Sequence, residues 1–72
     1  MEILVLRTNV TSKRKVRQLS PVFDNHKAID KWSVDTEDRD KVLRIVAKEG
    51  FSIQDAVALM QLQGFYGNEL DD

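Results

Sequence analysis

Asn9-Val10-Thr11-Ser12-Lys13-Arg14-Lys15-Val16-Arg17-Gln18-Leu19 is the stretch on which the reading of the fold turns. In front of it, Glu2-Ile3-Leu4-Val5-Leu6-Arg7-Thr8 is β-rich and apolar at both parities, the pattern of a central strand. Leu4 and Leu6 then face one way, Ile3 and Val5 the other. Asn9, Thr11 and Ser12 carry short polar side chains able to cap a helix. From Ser12 onward, Val16, Leu19 and Phe23 recur at i, i+3 and i+7, one face of an amphipathic helix, with Arg14, Arg17 and Gln18 turned to solvent. Pro21 interrupts this pattern. It lacks the N–H that a helix interior needs, so the sequence predicts either a kink at Ser20-Pro21 or a helix that stops there.

Outward from this stretch, Asp24-Asn25-His26-Lys27 reads as a polar loop and Ala28–Asp35 as a second strand, with Trp32 and Val34 on one face and Lys31 and Ser33 on the other. Thr36–Asp40 is a charged turn, and Lys41–Ala47 alternates as a third strand, so the two strands form an antiparallel hairpin. Gly50 breaks the chain, and Ser52 with Asp55 three residues on is a capping-box variant. Ile53, Ala56, Val57 and Met60 follow as the core stripe of a second helix, which Gly64 closes. Phe65–Leu70 suits a short edge strand before the acidic pair Asp71-Asp72, read as a frayed end.

The order βαββαβ predicts one domain over residues 1–72, an α+β ferredoxin-like sandwich with a four-stranded antiparallel sheet covered on one face by two helices. The expected core is Leu4, Leu6, Val16, Leu19, Phe23, Trp32, Val34, Leu43, Ile45, Ile53, Val57 and Met60. At 72 residues and without cysteine to staple it, such a core holds the fold by roughly 4–10 kcal/mol.

Three segments together resemble the heavy-metal-associated domains, the copper-chaperone family. Those domains carry Met-Thr-Cys-x-x-Cys, with apolar residues one and four positions later. Here Val10 stands at the Met position, Ser12 and Lys15 at the two cysteine positions, and Val16 and Leu19 at the apolar pair. Ile29-x-x-Trp32-x-Val34-Asp35 is similar to the family's second strand, and Gly64-Phe65 to its Gly-aromatic pair after the second helix. The resemblance covers nearly the whole chain and implies the same fold. Its departure lies at the ligands: soft ions favour thiolates, whereas Ser12 offers a hydroxyl and Lys15 an ammonium. The sequence therefore predicts a relative without the family's metal site and without a cofactor, acting as a small non-enzymatic interaction or regulatory module. The alternative is a metal-binding or metal-transport domain using oxygen and nitrogen ligands such as His26 and the acids Asp35, Glu37, Asp38 and Asp40.

Charge points toward an interaction. Residues 1–31 hold a surplus of positive charge and residues 32–72 a surplus of negative charge, although the chain as a whole is at −1. Lys13, Arg14, Lys15 and Arg17 crowd the start of the first helix, where the helix dipole disfavours cations. They are the candidate contact for a protein partner with an acidic surface, as the resemblance also implies. Ile3, Val5, Val42 and Val46 are expected to share the open sheet face and to support weak homodimerisation. Nucleic acid is not expected, since the outer residues of the central strands include no aromatic on which a base could stack. Neither a phosphate loop nor a nucleophile elbow is present, so no enzymatic activity is expected. The longest apolar runs, Ile3–Leu6 and Ala56–Met60, are too short for a membrane span or signal peptide, and a cytoplasmic location is expected.

Overall fold

Along β1 (Glu2–Thr8), Leu4, Leu6 and Thr8 alternate with Ile3, Val5 and Arg7, and this parity divides the molecule into a core side and an open side. A computed structural model describes residues 1–70; the Asp71-Asp72 end lies outside the described residues. β1 is followed by α1 (Lys13–Asp24), β2 (Ile29–Asp35), β3 (Val42–Ala47), α2 (Ile53–Leu62) and β4 (Gly67–Glu69). The strands form one antiparallel sheet in the order β2-β3-β1-β4. Two helices on one face of this sheet make the ferredoxin-like α+β sandwich.

Local chemistry sets both helix starts. The Ser12 hydroxyl accepts the Lys15 N–H at 3.3 Å to open α1. At α2 the Ser52 hydroxyl accepts the Asp55 N–H at 3.2 Å while the Asp55 carboxylate accepts the Ser52 N–H at 2.9 Å, completing the expected capping box. α2 ends as the glycine position predicted. Gly64 adopts φ +81°, its N–H donates to the Gln61 carbonyl at 3.0 Å, and Phe65 N–H donates to the Met60 carbonyl at 2.9 Å. This is the two-bond Schellman closure.

Pro21 neither ends α1 nor divides it: the helix continues through it to Asp24. Two polar contacts hold the last turn. Asn25 donates its side-chain amide to the Pro21 carbonyl at 2.7 Å, and the Ser20 hydroxyl donates to Asp24 Oδ2 at 2.6 Å.

β1 keeps its expected bounds, whereas the other three strands are shorter than the sequence pattern suggested, because pairing rather than propensity sets their ends. β2 begins at Ile29 rather than Ala28, β3 at Val42 rather than Lys41, and β4 keeps only Gly67–Glu69 of the Phe65–Leu70 run. Lys41 is diverted by the hairpin turn into the left-handed region at φ 50°.

The fully buried centre comprises Leu6, Val10, Leu19, Phe23, Leu43, Ile45, Ala47, Ala56 and Met60, with Ile29 and Phe51 nearly so. Leu4, Val16, Trp32, Val34, Ile53 and Val57, expected in the core, are half-buried at its margin. Val10, Ile29 and Phe51 take inner places that the periodicity did not assign. Val10 and Phe51 enter from connections, outside any period. Ile29 enters through a bulge, for Ile29 opposes Ala47 while Lys31 opposes Val46, leaving Asp30 without a partner. The extra residue lets Ile29 and Trp32, three apart, reach the same side.

Candidate functional site

The β1–α1 connection, residues 9–12, is held from both sides. Thr8 is buried and fully used: its hydroxyl donates to the Lys41 carbonyl and accepts the Val10 N–H at 3.2 Å. Thr8 N–H donates to the Asp40 carbonyl at 3.0 Å, and Asn9 Oδ1 accepts the Tyr66 N–H at 2.8 Å. The hairpin turn between β2 and β3 and the connection between α2 and β4 therefore flank this loop at one end of the sheet. Beneath it the Val10 side chain is fully buried.

The two positions that match metal ligands in the resembled family are committed to other work. Ser12 is the N-cap of α1, and Lys15 turns its ammonium back to the Thr11 hydroxyl at 3.1 Å. A soft cation brought here would meet a hydroxyl already engaged by a backbone donor and a positive charge. These residues do not fit it. Of the four cations at the start of α1, Lys13, Arg14 and Arg17 are exposed, and Lys15 is half-buried in the loop contact.

The alternative ligand set is not brought together. β1 and β2 both run antiparallel to β3, so the acidic turn at the end of β2 sits beside the β1–α1 loop. His26 precedes the start of β2, at the other end of a seven-residue strand, about 20 Å away. Its Nδ1 accepts the Ala28 N–H at 3.1 Å, which in the neutral ring places the proton on Nε2, and its ring stands edge-on to Phe51 at 5.1 Å. The turn carboxylates shape backbone. Asp35 Oδ1 accepts the N–H groups of Glu37 and Asp38 at 3.1 and 3.2 Å, Asp38 Oδ1 accepts Asp40 N–H at 2.8 Å, and Asp40 lies 3.5 Å from Arg7 Nε. Among the described residues, no three His, Cys, Asp or Glu side chains converge as a metal set would.

The placement also revises the charge picture. Opposite charges separated along the sequence are neighbours in space, since the basic start of α1 and the acidic turn share one end of the sheet.

On the open face, register brings Ile3, Val5, Val42 and Val46 onto one side, as their parity predicted. Ile3 opposes Val46 and Val5 opposes Arg44 across β1 and β3. Across β2 and β3, Lys31 opposes Val46, Ser33 opposes Arg44, and Asp35 opposes Val42. Ile3 is 66% exposed, whereas Val5, Val42 and Val46 are half-buried.

One contact had no counterpart in the pattern. The indole N–H of Trp32 donates to Asp24 Oδ1 at 2.7 Å, and Trp32 meets the Phe23 ring edge-on at 5.1 Å. These contacts tie the end of α1 to the edge strand. Hydrogen bonds from the Ser20 hydroxyl and the Trp32 indole hold the Asp24 carboxyl below the ordinary aspartate range. The available signal was that a partly buried indole N–H seeks an acceptor.

No family model matches the chain, and no curated protein does. Among solved structures, one described as "Crosstalk between Cu(I) and Zn(II) homeostasis" superposes with a TM-score of 0.82 over 97% of this chain and 100% of that chain. The two sequences are 7% identical, so the likeness is one of fold. The chain thus shares the ferredoxin-like fold of that structure, and at the start of its first helix it carries a capping hydroxyl, Ser12, and an ammonium, Lys15.

Proposed function

We propose that this domain is a non-enzymatic interaction module, a divergent relative of the heavy-metal-associated domains whose metal loop has been rebuilt as a helix start. The observation that carries this reading is the use of Ser12 to cap α1 and of Lys15 to close the loop onto Thr11. The fold likeness to a structure from Cu(I) and Zn(II) homeostasis supports the lineage. The cations Lys13, Arg14 and Arg17 are the part of the old metal end that an acidic protein surface would meet, and they steer such a partner at a distance. A cytoplasmic setting belongs to the same reading.

Calorimetric titration with Cu(I), Cu(II) and Zn(II) tests it. The expected result is no stoichiometric binding tighter than about micromolar, roughly 8 kcal/mol of affinity. Stoichiometric binding above that strength overturns the reading in favour of a metal domain. The double variant Ser12→Cys with Lys15→Cys is expected to take up Cu(I), because it returns two thiolates to one loop on a fold suited to present them.

A further inference from the structure

The sandwich has two layers, and among the described residues no helix covers the outer side of its sheet. Resting on the reading above, we propose that this open face is the docking surface and that its occupant is an acidic amphipathic helix of a partner protein.

The chemistry of the face selects this occupant. Ile3, Val46, Val5 and Val42 form a zigzag aliphatic strip over β1 and β3, with Arg44, opposite Val5, set into its β3 side between Val46 and Val42. Beside the strip, Lys31 and Arg44 flank a hollow of about 280 Å³ whose remaining lining is Trp32, Ser33 and Val46. Both cations are exposed, and among the described residues neither makes an ion pair; Arg7, on the same face, shares its charge with Asp40. Asp35, the acid on this side of β2, is held at the turn by two backbone donors. A carboxylate seated in the hollow would meet two positive side chains and the Ser33 hydroxyl, while apolar side chains one helical turn away lay on the strip. β1 spans about 23 Å, the length of a helix of roughly 15 residues.

Other occupants fit less well. A second copy brings the same Lys31 and Arg44 rather than added carboxylates, so self-pairing lacks the charge complementarity that an acidic helix offers. RNA would need aromatic platforms, and the strip is aliphatic. A lipid surface needs protruding apolar groups, whereas three of the four are half-buried between neighbours. The basic start of α1 lies on the other side of the sheet and shares its end with the acidic turn, so the attraction for this occupant rests on Lys31 and Arg44.

The test uses a dye-labelled synthetic peptide of about 15 residues, with leucines at i, i+3, i+4 and i+7 flanked by glutamates, read by fluorescence anisotropy. Saturable binding that weakens with salt is expected, with the double variant Lys31→Glu and Arg44→Glu binding roughly tenfold more weakly or worse. Both side chains point outward, and circular dichroism checks that the variant folds. A peptide carrying lysines in place of the glutamates is expected not to bind. Absence of binding at hundreds of micromolar, unchanged binding by the double variant, or equal binding of the lysine peptide overturns the proposal. So does stronger binding to single-stranded RNA or to anionic phosphatidylserine vesicles than to the acidic peptide. Sedimentation showing a micromolar dimer that Ile3→Lys dissociates assigns the face to a second copy and likewise overturns it. Failure of the peptide with no metal uptake in calorimetry removes this surface and leaves the interaction reading standing; tight metal uptake removes that reading whatever the peptide does.

Discussion

Asp24 shows how a single exposed side chain acquires a structural role. It accepts from Ser20 on its own helix and from Trp32 on the edge strand, and both bonds favour its charged form. A carboxyl held lower in the folded chain than in the unfolded one adds stability above the ordinary aspartate range, and that stability is lost as pH falls through the folded value. Urea midpoints are therefore expected to drop for the native chain below about pH 4, with Asp24→Asn starting lower at neutral pH and dropping less over the same interval. Equal acid sensitivity in the two proteins would show that the contact does not bear on folding. Ser12 and Lys15 illustrate legibility at this scale. Their residue types alone disqualify them as soft-metal ligands, and the structure adds only what they do instead. Thr8 was illegible, because its two partners are Val10 beside it and Lys41 across the sheet, a pairing no local pattern encodes.

At the scale of the element, α1 and β2 mark where periodic reading succeeds and where it stops. The apolar spacing Val16–Leu19–Phe23 located the inner face of α1, and Leu19 and Phe23 are buried as it required. Pro21 has a local cost that the sequence displays and a tertiary compensation that it does not. The turn that contains it also carries Phe23 into the core and Asp24 to Trp32, so the helix is worth completing despite one missing backbone bond. The cost remains measurable. Pro21 is exposed, so Pro21→Ala leaves no cavity while restoring the N–H facing the Arg17 carbonyl. A gain of about 2–2.5 kcal/mol in urea denaturation is expected, being the ~3 kcal/mol helix penalty reduced by the ~0.4–1 kcal/mol that proline's stiffness takes from the unfolded chain. Unchanged or lower stability would mean that the helix has adapted to the ring.

For the molecule as a whole, element order and the apolar pattern of the strands and helices were enough to predict the architecture, since a βαββαβ chain has few ways to close. Parity also foretold that Ile3, Val5, Val42 and Val46 would meet on the open side. What parity cannot give is which loops share an end of the sheet. Counted along the sequence, the charges divide into a basic front and an acidic rear, yet the topology returns the acidic turn to the start of α1. The hollow between Lys31 and Arg44 was equally hidden, because it depends on the pairing of β2 with β3 across the bulge.

That bulge has a consequence for how the gene can change. Removing Asp30 leaves Ile29 opposite Ala47 and Lys31 opposite Val46, the pairs already present, so an in-frame loss of this codon turns no side chain over. Loss of Ser33, by contrast, makes Trp32 and Val34 adjacent and sends one of them to the wrong side. The variant lacking Asp30 is expected to fold with a urea midpoint near that of the native chain, while the variant lacking Ser33 is expected to be unfolded or severely weakened. β2 thus contains one position at which its length can drift while the core keeps its residues.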